Sequence, residues 1–481
     1  MKQALHIFKK DVRHFRYDIG LTLLVVLAFC IAGARNMRGP GSLAFALPVC
    51  WWFLIARVIH AEALPGNRQF WLTRPYEWKS LLGAKILFIF SFVNLPLLVA
   101  DAVIVHSTGF SLTGNTAGLL WTQALLIVAF VLPVAALSAI TSGLPELLVV
   151  TLLLIVIALA RVLTSPMIHW GFYWMQLEWV KTYYLVAQIA AAALIILFWQ
   201  YARRKTFATR IVAAATVFVF LASGALLPWT AAFALETHLS SRNLNSSAVQ
   251  IKLDSNRKWL GRIYIGGRDR VVAELPLQIS GLPAGTQLQP NGLTVTVRAS
   301  DGETWVVKQP APDSFDFENS ITSLQAEMPT AFYAKVRSQP VQLRGTLYFT
   351  LYGGKRSTPI PLNGGPVSVK GAGLCSAGQR YVLCNSAFRT QADLITFRFL
   401  QDLGGEARSM TDGISRIGSY SPFPADLHID PIVRFFSPRP NAISAVAVET
   451  WEPLAHLERD FEINGVRLDS FAANSALARM Q

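Results

Sequence analysis

Charge is what this sequence has least of. Of its 481 residues, 15% are Asp, Glu, Lys or Arg, 52% are hydrophobic, and mean hydropathy is +0.39. Soluble domains carry roughly a quarter charged residues, so the composition argues against a chain that is water-exposed throughout. Acidic groups are the scarcer sign, 29 against 43 basic, which leaves a net charge of +14. Cysteine is scarce too, at four residues, with no C-x-x-C pair and no Cys/His spacing of the zinc type. That speaks against a dithiol redox motif and a zinc finger. Neither a G-x-x-x-x-G-K-[ST] loop nor a G-x-S-x-G elbow occurs. The chain is therefore expected not to be an enzyme, and in particular not to hydrolyse ATP itself. No cofactor and no metal are expected in it.

The few charges are unevenly placed. Residues 1–234 hold 18 basic and 7 acidic residues, and the remainder holds 25 and 22. The basic excess thus flanks apolar runs, where membrane topology accounts for it better than nucleic acid does. Seven runs come close to the roughly 20 apolar residues a spanning helix needs: about 17–34, 43–59, 82–105, 117–139, 144–163, 184–201 and 211–234. No small-residue cleavage site follows the first, so it is expected to stay. With the N-terminus inside, fourteen Lys and Arg fall on inner segments and four on outer ones. The positive-inside rule favours that orientation, in the cell (inner) membrane, with residues 235–481 outside.

Within this half, Leu5, Phe8, Val12 and Phe15 share one helical face, while Lys9, Lys10, Arg13 and Arg16 occupy others. Residues 1–16 therefore read as an amphipathic helix on the inner leaflet. Gly143 and Pro145 break the apolar run into two spans, and Glu146 suits the second helix N-terminus. Pro96 and Pro133 predict kinks. Residues 165–184 are strongly aromatic, as at a headgroup interface. Asn94 and Asp101 are the polar residues of the third span and candidates for lining a pathway.

After the second span the chain reads HAEALPGNRQFWLTRPYEWKSLLGAK. This resembles the permease subunit of type-2 ABC transporters, in which an acidic residue follows the second span and an Arg-Pro element precedes a small-residue-Lys entry to the third. Those positions here are Glu62, Arg74-Pro75 and Gly83-Ala84-Lys85. The resemblance covers roughly residues 1–205. It implies that the loop docks on a separate cytoplasmic ATPase subunit, with Phe70, Trp71, Arg74 and Trp78 as anchors. It further implies that ATP and Mg bind in that partner, that the membrane subunit works by alternating access, and that two copies pair as a homodimer. A seventh span and an external domain depart from the pattern. They leave open a second reading, a non-transporting anchor that displays the external domain for sensing or assembly.

Residues 235–481 alternate apolar and polar positions in many short runs with Gly- and Pro-rich turns between them. One or two β-sandwiches are predicted. Cys375 and Cys384 close a short loop, and outside the cytoplasm a disulfide between them is expected. Asp426, His428 and Asp430 alternate along one stretch, but a solvated strand accounts for them better than a metal site. The predicted architecture is a helical membrane bundle (17–234) followed by an all-β domain (235–481).

Overall fold

In the computed structural model, the described residues are 2–35, 41–62, 77–164, 178–226, 229–238, 246–254, 262–267, 269–310, 315–316, 321–378, 381–387, 394–402, 407–415, 430–435 and 443–474. The helical half comprises α1 (Lys2–His14), α2 (Arg16–Ala34), α3 (Gly41–His60), α4 (Trp78–Ser107) and α5 (Leu112–Ile140). It continues with α6 (Leu144–Thr164), α7 (Glu178–Phe198), α8 (Thr206–Leu226) and α9 (Trp229–His238). Four stretches, Arg16–Ala34, Trp78–Ser107, Leu112–Ile140 and Tyr183–Arg203, are long and apolar enough to cross a membrane. Within α3, α6 and α8 the described residues give the apolar stretches Phe45–His60, Leu144–Ala160 and Thr206–Ala222. Among the described residues, length and hydropathy thus establish four membrane-length helices, where seven spans are expected from the sequence.

At Pro96 and Pro133, where kinks are expected, the helices carry π turns. Each proline follows a π-helical turn, Phe90–Asn94 in α4 and Ile127–Val131 in α5. Proline removes an N–H and crowds the carbonyl one turn earlier. The backbone widens ahead of it, so that Leu95 N–H reaches back to Phe90 O and Leu132 N–H to Ile127 O. A third π turn, Trp199–Arg203, closes α7.

Helix α1 packs against the bundle. Its buried stripe is Ile7 and Asp11, continued by Phe15 just past its end, with Ala4, Phe8 and Val12 packed partly against the bundle and Leu5 left exposed. The predicted face is therefore turned slightly, because α1 packs on α4. Phe8 stacks on Phe92 at 6.2 Å, and Phe15 meets Phe88 edge-on at 6.3 Å.

The C-terminal half is antiparallel throughout its strand ladders. Among the described residues, a six-stranded sheet runs β13 (Ala407–Ser415), β12 (Leu394–Asp402), β15 (Ile443–Val466), β8 (Val341–Ile360), β4 (Gln287–Arg298) and β5 (Thr304–Pro310); a five-stranded sheet is built on β3 (Arg270–Ser280) and β7 (Ile321–Pro329); and a four-stranded sheet runs β14 (Asp430–Phe435), β11 (Tyr381–Ser386), β10 (Gly373–Ala377) and β9 (Val367–Val369). Two long strands, β8 (Val341–Ile360) and β15 (Ile443–Val466), pair along nearly their whole length. One part of this ribbon packs with the five-stranded sheet over a core containing Leu275, Leu324 and Phe349. The other part packs with the four-stranded sheet over Val382, Phe397 and Val448. Two sandwiches therefore share one ribbon. Asn464-Gly465 forms a bulge near the end of β15, with Gly465 at φ +74°.

Helical and β halves touch. Phe233 of α9 is buried against Tyr348 at 5.2 Å and His456 at 6.2 Å. Leu374 packs over Gly109, and Ala387 clusters with Val105 and Leu119. Helix α9 spans the 234/235 boundary read from the sequence.

Candidate functional site: an ion-pair cluster at the root of the 63–76 loop

Three charged side chains are almost wholly buried together. Lys85 of α4 lies 2.8 Å from Asp11 Oδ2 of α1 and 3.7 Å from Glu62 Oε1, just past α3. Lys10 completes the cluster from its half-exposed position, 2.7 Å from Glu62 Oε1 and 3.7 Å from Asp11 Oδ1. Side-chain exposure is 2% for Lys85 and 1% for both Asp11 and Glu62. Taking such groups out of water costs several kcal/mol each, and only close, mutual pairing offsets it. Two cations face two carboxylates, so the cluster is neutral. Asp11 Oδ1 and Glu62 Oε2 nonetheless have no hydrogen-bond partner.

The placement follows from the helices. Asp11 sits one turn from Ile7 on the buried stripe of α1. Lys85 lies one turn from Leu81 and Phe88 on the buried face of α4. Glu62 follows the last turn of α3, its N–H bonded to Ile59 O. The cluster therefore binds α1 to both ends of the segment between Glu62 and Lys85. At the far end Trp78 packs edge-on against Phe198 at 6.0 Å, and Lys79 lies over the Trp78 ring at 5.8 Å.

Of the loop residues singled out in the sequence, Glu62 and Lys85 come together, and Trp78 stands at the loop's end. Phe70, Trp71, Arg74 and Pro75 lie outside the described residues. Asp11 and Lys10 were not foreseen as site residues. The available signal was one acidic residue, Asp11, in a basic helix, one turn after an apolar position.

Further polar pairs gather at the same end of the bundle. Arg57 pairs with Asp18 at 2.9 Å, and His60 Nε2 lies 3.0 Å from Thr141 Oγ1. Glu146 accepts from Ser142 N at 2.6 Å and pairs with Arg210 at 2.9 Å, which fits the helix N-terminus expected for it.

Asn94 and Asp101 stand apart. Sixteen residues of helix separate Lys85 from Asp101, about 24 Å along the axis. Asn94 Nδ2 donates to Gln123 Oε1 at 3.2 Å. Asp101 is buried with neither oxygen hydrogen-bonded. Cys375 and Cys384 form the expected disulfide as directly opposed residues of β10 (Gly373–Ala377) and β11 (Tyr381–Ser386), buried in the second β core. Among the described residues no His, Cys, Asp and Glu cluster could hold a metal ion. His428 lies outside them.

No model of a known protein family matches this chain, and no curated protein matches it either.

Proposed function

We propose that the chain is the membrane subunit of an ATP-driven transporter of the type-2 ABC kind, moved by a separate ATPase that docks on the 62–85 segment. The observation that carries this reading is the buried Asp11–Lys85–Glu62 cluster. It roots both ends of one loop on a single amphipathic helix. A loop held that way passes a push at its tip to α1, α3 and α4 together, rather than flexing alone. ATP and Mg2+ bind in the partner, and two copies of this chain form the pathway between them.

The proposed topology has seven crossings, with the N-terminus cytoplasmic and the β domain outside. Contacts support it by sorting to two ends of the bundle. The α1 cluster, the Arg57–Asp18 pair and the Arg210–Glu146 pair meet at one end. The Gly109 turn and Val105 meet the β domain at the other. A disulfide suits the oxidising side.

A second reading is a membrane anchor displaying the β domain for sensing or assembly. The seating of that domain on the Gly109 turn and on Phe233 favours it. One experiment separates the two. The chain is purified in mild detergent from its native membranes and scored for a bound ATPase, beside a variant carrying Trp71→Ala and Arg74→Ala. The transporter reading expects an ATPase on the wild type and its loss from the folded variant. No ATPase on either, under conditions that keep other transporters whole, supports the anchor.

A further inference from the structure

The bundle encloses an apolar cavity of about 320 Å³ between α3, α4, α5 and α7. All three π turns contribute to its wall: Phe90 and Asn94 from the first, Ile127 and Val131 from the second, and Tyr201 from the third. A π turn widens the helix and offsets its side chains, which leaves space where regular helices would close together. Three lining residues carry polar groups. Lys85 is paired with Asp11, Asn94 donates to Gln123, and Tyr201 is the third. The rest of the lining is apolar.

The mouth faces sideways. Ile86, Phe90, Leu194 and Phe198 line the cavity and are each about half exposed or more on helices whose outer surfaces are apolar. Around membrane-length helices such a surface meets hydrocarbon, so the cavity opens onto lipid tails. At one rim stand Phe198 and Trp78, in edge contact. Lys79 lies over Trp78 and is exposed, and Arg203 follows Phe198 by one π turn and is exposed too. Neither pairs with a carboxylate among the described residues. An apolar slot with cations at one rim matches a lipid with a negative headgroup, and basic sites between membrane helices hold such headgroups.

We propose that this cavity is a binding site for one anionic phospholipid, its acyl chain among the π turns and its phosphate held by Lys79 and Arg203. The inference needs only that the helices lie in a membrane. Its failure would leave the ATPase-docking reading untouched.

The test uses the full chain in detergent, delipidated and then titrated with phosphatidylglycerol or phosphatidylcholine, and read by native mass spectrometry. Wild type is expected to retain one phosphatidylglycerol and to lose phosphatidylcholine at the same activation energy. Ala135→Phe, which puts a ring into the cavity from its wall, is expected to lose that retained lipid. Lys79→Glu with Arg203→Glu, both on exposed positions, is expected to lose the preference for the anionic lipid even if Ala135→Phe fails to fold. Equal retention of both lipids by wild type overturns the proposal. So does a preference that survives the charge reversal. A dimer that forms without lipid and is lost in Ala135→Phe also overturns it, since a second copy then fills the cavity.

Discussion

Lys85 illustrates how much one side chain decides in this molecule. Its ammonium is the only fully buried cation of the cluster and lies within 3.7 Å of both buried carboxylates. Lys85→Met keeps the length and the apolar stem but leaves Asp11 and Glu62 with Lys10 alone. Removing one partner of a buried pair typically costs about 3–5 kcal/mol. The variant is therefore expected to melt markedly lower in detergent, followed by intrinsic fluorescence. Adding Asp11→Leu to Lys85→Met should recover part of the loss, because a buried charge goes with its lost partner. A double variant no more stable than the single one would show that the cluster is not coupled in this way.

His456 acts on the other half. Burial against Phe233 and beside Thr350, 2.9 Å from its Nδ1, pushes its pKa down to about 4 from an ordinary value near 6.5. The unfolded chain takes up this proton first as pH falls. Stability from the neutral ring is thus fully present above about pH 6.5 and is lost as pH falls through the window to 4. The loss is at most about 3 kcal/mol. Protease sensitivity at the α9–β contact should rise across that window in wild type and stay flat in His456→Gln. A flat wild-type profile would rule the titration out.

Elements show where periodicity suffices and where it does not. The start of α6 was legible because its chemistry is local: Gly143, Pro145 and Glu146 are near neighbours, and Glu146 caps Ser142 from four residues away. Glu146→Ala is expected to cost about 1 kcal/mol, the usual effect of losing a cap, and to lower the thermal midpoint by a few degrees. An unchanged midpoint would mean that Arg210 and the backbone hold the turn without it. The π turns were only half legible. Pro96 and Pro133 announce a distortion, but whether the backbone bends or widens depends on what packs on either side. Helix α1 carries the same lesson. Its apolar stripe was visible in the sequence, while its rotation toward Ile7 and Asp11 was set by Phe88 and Phe92 across the interface.

For the whole molecule the decisive question is sidedness. The α1 cluster and the β domain occupy opposite ends of the bundle, so the proposed topology separates their exposure. In sealed right-side-out vesicles, added protease should remove a tag placed after Gln481 and spare one placed before Lys2. Removal of both, or of the N-terminal tag alone, would overturn the seven-crossing arrangement. The long β8–β15 ribbon also belongs to this scale. Alternation marked its strands, but nothing local says that one ribbon of 20- and 24-residue strands serves two cores.

The sequence by itself determined the division into an apolar helical half and a β half, because hydropathy and two-residue alternation are properties of neighbouring residues. It also determined the cysteine pair, whose partners sit 9 residues apart. Tertiary structure alone decided that Asp11, Glu62 and Lys85 form one site. Fifty-one residues separate Asp11 from Glu62 and twenty-three separate Glu62 from Lys85. No periodicity reaches that far. Only the packing of α1, α3 and α4 brings three charges out of water to where each must answer the others.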